Sequence, residues 1–129
     1  MIISILLADQ QHLTTSGLIR LIEGMSNWKL AGLVKHPEDL SLLLKEHAPR
    51  VLIADYNIAG YITAEDIIQA QQAWSETNVL VISSDNDRRN ILELIRAGVK
   101  GFVTKECSGE EIVTAIQTVA RGEKFFCQK

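Results

Sequence analysis

The chain has 129 residues, of which 47% are hydrophobic, and this length and composition suit one domain with its own apolar core. The formal net charge is −3 and no run of Lys or Arg stands out. Both observations argue against nucleic-acid binding by this chain, because affinity for phosphates comes from clustered cations. No apolar stretch approaches the roughly 20 residues that span a membrane, and residues 1–4 predict no signal peptide. Two cysteines are too few for a disulfide framework, so we expect free thiols and a cytoplasmic location.

Short apolar runs that predict strands alternate along the chain with longer stretches that predict helices. The strands are predicted at 3–8, 29–34, 51–54, 79–83 and 101–104, and the helices at 13–25, 37–47, 63–74, 88–97 and 109–121. This alternation predicts an α/β fold with a parallel sheet covered by helices on both faces. Right-handed crossovers favour a doubly wound, flavodoxin-like (βα)5 fold with five strands in the order 2-1-3-4-5.

Residues near the helix ends support these boundaries. Pro37 suits the first turn of the second helix, where a missing N–H costs little. Gly98 suits the end of the fourth helix. Ser108 and Glu111 have the spacing of a capping box at the start of the last helix, and Gly122 suits its end.

Four chemically reactive residues each follow a predicted strand: Asp9, Asp55, Ser83 and Lys105. In an open parallel sheet the carboxyl ends of the strands meet at one edge, and the working crevice lies there. The predicted strand order puts the switch point between the first and third strands, beside Asp9 and Asp55. Two carboxylates, a hydroxyl and an ammonium at one edge suit a divalent cation and a phosphoryl group.

The chemistry of this set favours Mg²⁺. Two nearby carboxylates repel each other unless a cation or a proton intervenes, and Mg²⁺ prefers oxygen ligands. A carboxylate can then act as a nucleophile towards phosphorus, while Lys105 and Ser83 contact the phosphoryl oxygens. Taken singly, each residue has an ordinary alternative role, such as a turn residue, a helix cap or a solvated surface lysine.

Five stretches of the sequence together resemble a response-regulator receiver domain of two-component systems, of the NarL/LuxR-type branch. They are LLAD at 6–9, VLIADYN at 51–57, VLVISS at 79–84, AGVKGFVTK at 97–105 and ARGE at 120–123. The resemblance implies that Asp55 accepts a phosphoryl group from a partner histidine kinase. It also implies a Mg²⁺ site made by Asp9, Asp55 and the backbone carbonyl of Asn57.

The same resemblance implies roles for three further residues. Ser83 matches the switch hydroxyl, and Lys105 matches the phosphate-binding lysine. Phe102 matches the aromatic residue that repacks on activation, although an ordinary core position is an equally good account of a phenylalanine.

Two positions depart from the family pattern. Gln10 stands where the family usually has a second acidic residue that binds the metal directly, so it is a doubtful ligand. At about 4 Å a unit charge is worth roughly 1–4 kcal/mol, so its loss lowers metal affinity about tenfold or more. Ala59 stands where many relatives have Pro, which predicts a more mobile loop after Asp55.

The sequence therefore predicts a phosphoacceptor receiver that switches a transcriptional output and is not an enzyme in the usual sense. The alternative is a phosphorylation-independent interaction or dimerisation module, which Gln10 favours. A flavin-binding protein or small enzyme of the same fold class is a weaker alternative, since no glycine-rich phosphate loop is present. We expect DNA binding only through a further domain after residue 129, no association with membranes, and a homodimer on activation through the first and last helices.

Overall fold

Strands and helices alternate along residues 1–127, the part of the chain that the computed structural model describes. The strands are β1 (Ile3–Ala8), β2 (Trp28–Leu33), β3 (Val51–Ala54), β4 (Asn78–Ser83), β5 (Gly101–Thr104) and β6 (Phe125–Cys127). The helices are α1 (His12–Glu23), α2 (Leu40–His47), α3 (Ala64–Ala73), α4 (Arg88–Arg96) and α5 (Gly109–Ala120). Residues 128 and 129, the end of the predicted domain, lie outside the described residues.

All the described strands are parallel and form one sheet in the order β2-β1-β3-β4-β5-β6. The flavodoxin-like order predicted for the first five strands is confirmed. Ala8 pairs with Ala54, which pairs with Val81, which in turn pairs with Phe102. Because this register keeps the strand ends level, the residues that follow β1, β3 and β5 meet at one edge of the sheet.

A sixth strand extends the predicted five-stranded sheet. Phe125 pairs with Gly101 and Cys127 pairs with Val103. The strand is only three residues long and begins just after α5, so it shows too little alternation to be recognised in the sequence. Gly101 permits the close approach: a Cβ there would lie 2.7 Å from Leu80 Cδ1 and 3.0 Å from the carbonyl oxygen of Phe125.

Each face of the sheet has its own apolar core. Alternate strand residues face opposite sides, so Leu52 packs with the residues of α2, α3 and α4, whereas Ile53 packs with those of α1 and α5. Phe102 is the largest fully buried side chain and lies in the first of these cores. Burying one such side chain contributes roughly 1.5–3 kcal/mol, so the strands are held firmly on both faces.

The helix ends follow the predicted signals with one exception. The N–H of Glu111 donates to Ser108 Oγ at 3.2 Å and the N–H of Ser108 donates to Glu111 Oε1 at 2.9 Å, which is a complete capping box. Gly98 and Gly122 have positive φ angles of 100° and 79°. Pro37, however, begins a separate 3₁₀ turn rather than α2, which starts at Leu40. Between residues 1 and 127, no helix has the length and apolar character needed to cross a membrane.

Candidate functional site

Two aspartates lie side by side at the carboxyl edge of the sheet. Asp9 follows β1 and Asp55 follows β3, and the N–H of Asp55 donates to the carbonyl oxygen of Ala8 at 3.1 Å, which extends the strand pairing. Both residues are buried, with exposed fractions of 7% for Asp9 and 1% for Asp55. Burial of two carboxylates is costly without a compensating cation.

Lys105 supplies that cation. Its Nζ lies 2.7 Å from Asp55 Oδ2 and 3.1 Å from Asp9 Oδ2, and its side chain is 13% exposed. The same nitrogen donates to Gln11 Oε1. An ammonium has three N–H donors, so these three acceptors use all of them. Two carboxylates and one ammonium leave a formal charge of −1 at the site.

The other oxygen of each aspartate is held by the backbone two residues further along. Asp9 Oδ1 accepts from the N–H of Gln11 at 2.7 Å, and Asp55 Oδ1 accepts from the N–H of Asn57 at 2.8 Å. These short turns fix the direction of each carboxylate. Both carboxylates therefore converge on the ammonium in a defined geometry.

The donor set fits a hard divalent cation. The carboxylates of Asp9 and Asp55 meet at one point, where a positive charge already sits, and oxygen ligands are those that Mg²⁺ prefers. Asn57 lies in the same turn as Asp55, because its N–H is bonded to that carboxylate. The structure therefore brings these three predicted metal-site residues together.

Gln10 has a different partner. Its Nε2 donates to the carbonyl oxygen of Lys35 at 3.0 Å, and its side chain is exposed. The amide therefore binds the segment after β2 rather than the carboxylates. Gln10 would have to give up this hydrogen bond in order to bind a metal ion beside Asp9.

Ser83 and Phe102, the predicted switch pair, lie on the same face of the sheet. Ser83 is fully buried, and its Oγ accepts from the N–H of Asp85 at 3.1 Å. Ser83 pairs with Thr104, and Phe102 stands two residues before Thr104 on β5. Phe102 is 1% exposed and lies in the core beneath α4, so its ring is packed inward in this structure.

A tyrosine–aspartate pair beside the site was not predicted from the sequence. The hydroxyl of Tyr56 donates to Asp85 Oδ2, which also accepts from Asn90 Nδ2 at 2.9 Å. Burial, together with the hydrogen bond to Asp85, raises the pKa of Tyr56 well above its ordinary value. Partial burial favours a higher pKa for Asp85, but the hydrogen bonds from Tyr56 and Asn90 outweigh this effect and hold that pKa below its ordinary value. The pair joins the loop after β3 to the loop after β4.

Sequence reasoning also missed Gln11, the third acceptor for Lys105. A neutral amide that follows Asp9 by two residues has no distinguishing pattern. For the Tyr56–Asp85 pair, the sequence offered two signals. Tyr56 is next to Asp55, and Asp85 comes two residues after Ser83. Their partnership depends on a contact across 29 residues of chain, which no local pattern predicts.

The sequence is similar to a known protein family and to curated proteins. The family model of the response regulator receiver domain matches residues 5–117. The chain is 29% identical over 127 residues to the uncharacterized transcriptional regulatory protein YxjL of Bacillus subtilis, which covers 96% of this chain and 57% of YxjL. It is 23% identical over 129 residues to the oxygen regulatory protein NreC of Staphylococcus haemolyticus, and this match covers 97% of this chain and 58% of NreC. The chain thus spans little more than half the length of these relatives.

Solved structures share the fold. A two-component response regulator of the LuxR family from Aurantimonas superposes with a TM-score of 0.86 at 22% identity, covering 97% of this chain and 89% of the other. The signal receiver domain of the putative response regulator NarL from Mycobacterium tuberculosis gives a TM-score of 0.84 at 24% identity, with coverages of 95% and 98%. Since the family match extends over most of the sequence, the chain belongs to the response regulator receiver domains, and the predicted resemblance to that family is confirmed.

Proposed function

We propose that this receiver domain accepts a phosphoryl group on Asp55 from a phosphohistidine of a partner kinase. The observation that supports this most directly is the contact of Lys105 Nζ with both Asp9 and Asp55 at the carboxyl edge of the sheet. A buried carboxylate beside an ammonium is a nucleophile with a partner for the incoming phosphoryl charge. A partner kinase that works in the cytoplasm, where thiols remain reduced, suits the two free cysteines.

The transfer needs few groups. An oxygen of Asp55 attacks the phosphorus, the new O–P bond forms as the N–P bond of the phosphohistidine breaks, and the imidazole leaves. Lys105 Nζ, now 2.7 Å from Asp55 Oδ2, then moves its contact to a phosphoryl oxygen. The domain is a substrate of the kinase rather than an enzyme that turns over many molecules.

Asp9, Asp55 and the carbonyl of Asn57 would hold Mg²⁺ at this edge. When bound, the ion supplies positive charge that neutralises the phosphoryl oxygens. The formal charge of −1 left by Asp9, Asp55 and Lys105 favours a cation without the help of Gln10. The phosphorylation-independent alternative rests on Gln10 alone and is the weaker proposal.

Ser83 and Phe102 would carry the signal away from Asp55. The Ser83 hydroxyl would turn towards the phosphoryl oxygens and leave the N–H of Asp85, to which it is now bonded. Phe102 would repack into the space that this movement opens, which is a two-state packing change driven by a local charge. Ser83→Ala should leave Asp55 modifiable but weaken the response of Phe102, which NMR shifts of the ring would detect. Equal shifts in both proteins would contradict this mechanism.

The output would be transcriptional and would need further chain. The relatives are longer, and YxjL is described as a transcriptional regulatory protein. We propose that a DNA-binding domain follows residue 129, which agrees with the net charge of −3 on this domain. A homodimer on activation could use α1 and α5, where Leu13 is 88% exposed beside a groove lined by Leu21 and Ile112. Light scattering before and after phosphorylation would test for the dimer.

The central proposal is tested with a small phosphodonor. Acetyl phosphate or phosphoramidate with Mg²⁺ should add one phosphoryl group to the wild-type domain, as measured by intact mass. Asp55→Asn should remain unmodified. Asp39→Asn, which makes the same change at a residue outside the site, should be modified like the wild type. Equal modification of the Asp55→Asn protein would refute the assignment of Asp55.

A further inference from the structure

Three potential metal ligands lie together at a place that the phosphoacceptor chemistry does not use. Cys107 lies in the loop between β5 and α5, Glu111 in the first turn of α5, and Cys127 at the end of β6. The Sγ atoms of the two cysteines are 3.6 Å apart, and Cys127 Sγ is 3.5 Å from Glu111 Oε2. The three ligand atoms all lie within 4.8 Å of one another.

Two of the three distances between these ligand atoms match those of a tetrahedral zinc centre. Zinc–sulfur bonds of about 2.3 Å and a zinc–oxygen bond of about 2.0 Å place two sulfurs about 3.8 Å apart and a sulfur and an oxygen about 3.5 Å apart. The observed separations of 3.6 Å and 3.5 Å are close to both values. A disulfide instead requires the sulfurs to be about 2.05 Å apart, so the arrangement is nearer to a metal site than to a disulfide.

The electrostatics of the cluster also favour a cation. Cys107 is 7% exposed, and Cys127 and Glu111 are partly buried. Two thiolates and a carboxylate this close together would repel one another, and a divalent cation between them removes that penalty by binding them.

We propose that Cys107, Cys127 and Glu111 bind one Zn²⁺ ion or a similar thiophilic cation, with water as the fourth ligand. The site is separate in chemistry from the edge formed by Asp9 and Asp55, because thiolates select soft metals and carboxylates select Mg²⁺. The bound ion would join the β5–α5 loop, α5 and β6. It would therefore hold β6 against the rest of the sheet. One of its ligands, Cys107, is only two residues from Lys105 in the sequence.

Co²⁺ is the probe for this site, because thiolate-bound tetrahedral Co²⁺ absorbs in the near ultraviolet and the visible. The full chain is reduced with a phosphine, which competes weakly for metal, and titrated with Co²⁺ and then Zn²⁺. The wild type should bind one equivalent of Co²⁺ with thiolate-to-cobalt absorption, and Zn²⁺ should displace it. Cys127→Ser should lose this absorption or weaken binding at least tenfold.

Variants at Glu111 and its neighbour separate a ligand from a structural residue. Glu111→Gln removes the anionic ligand but keeps an acceptor for the N–H of Ser108, so the capping box is preserved. It should weaken Co²⁺ binding at least tenfold without changing the helical circular dichroism. Glu110→Gln removes the same charge from the adjacent helix position and should bind Co²⁺ like the wild type.

Several results would overturn the proposal. One is the absence of thiolate absorption in the reduced wild type at millimolar Co²⁺. Another is binding that neither Cys127→Ser nor Cys107→Ser alters. A third is an intact mass that remains two hydrogens below that of the dithiol after the phosphine treatment, which would mean that the cysteines are held in a disulfide that resists reduction. Asp55→Asn should retain the site, and loss of Co²⁺ binding in that variant would mean that the metal binds at the carboxylate edge.

Discussion

Replacing Lys105 with Met tests how far the candidate site depends on one ammonium. The change keeps most of the length of the side chain and removes its charge. In the folded domain it leaves Asp9 and Asp55 buried without the cation that now lies 3.1 Å and 2.7 Å from them. Gln11 loses its partner as well. The variant should therefore be less stable than the wild type when no metal is present.

The size of the loss follows from these distances. With an effective dielectric constant of about 20, attractions at 2.7 Å and 3.1 Å amount to roughly 6 and 5 kcal/mol, before the desolvation of three charges is subtracted. Breaking a buried ion pair by removing one partner costs about 3–5 kcal/mol. We expect Lys105→Met to lower the free energy of unfolding by about 3–5 kcal/mol, which is a large part of the stability of a small domain.

Urea unfolding at neutral pH, with and without Mg²⁺, measures this loss. Because Mg²⁺ binds only the folded site, it should stabilise the variant by mass action and recover part of the difference. Lys124→Met makes the same change at an exposed position and should alter stability by no more than about 0.5 kcal/mol. The double variant with Asp55→Asn and Lys105→Met should lose less unfolding free energy than the sum of the losses in the two single variants. A loss below about 1 kcal/mol, or strictly additive losses, would refute the electrostatic account of the site.

Two further changes probe the surroundings of the site. Gln10→Asp should tighten Mg²⁺ binding about tenfold or more, and it should lower the melting temperature of the metal-free domain because a third carboxylate then crowds the edge. Thermal melts with and without Mg²⁺ measure both effects. Unchanged melting temperatures would mean that Gln10 does not line the metal pocket. Tyr56→Phe removes the hydrogen bond to Asp85 and should cost about 1 kcal/mol at pH 7, discounted for the partial exposure of Asp85. Because the pKa of Asp85 is lowered in the folded state, this contribution is present above the ordinary pKa of an aspartate and disappears as the pH falls through the folded-state pKa. Urea unfolding at neutral and strongly acidic pH tests the sign, and an equal loss at both would contradict it.

The sequence predicted the parts of this molecule that depend on local pattern and on sheet topology. Residues that follow buried strands must meet at one edge of a parallel sheet, so the proximity of Asp9, Asp55 and Lys105 could be inferred before the structure. The family resemblance came from stretches at the same strand ends. The capping box of Ser108 and Glu111 was equally local and appears as predicted.

The features that escaped prediction depend on contacts between distant parts of the chain. Gln11 reaches Lys105 across 94 residues, and Tyr56 reaches Asp85 across 29. Gly101 leaves room for the backbone of β6, because a Cβ there would lie 3.0 Å from the carbonyl oxygen of Phe125, and this crowding is visible only in the folded chain. The two cysteines, 20 residues apart in sequence, come together because β6 pairs with β5.

The sixth strand changes the edge of the sheet at which the described chain ends. In a sheet of this kind the helices run back across the strands, so a chain that stopped after α5 would emerge at the amino ends of the strands, far from Asp55. β6 is parallel to β5 and reaches the level of Val103 at Cys127, so it carries the backbone back across the sheet. β6 therefore ends at the same rim of the sheet as Asp55, the proposed phosphoacceptor.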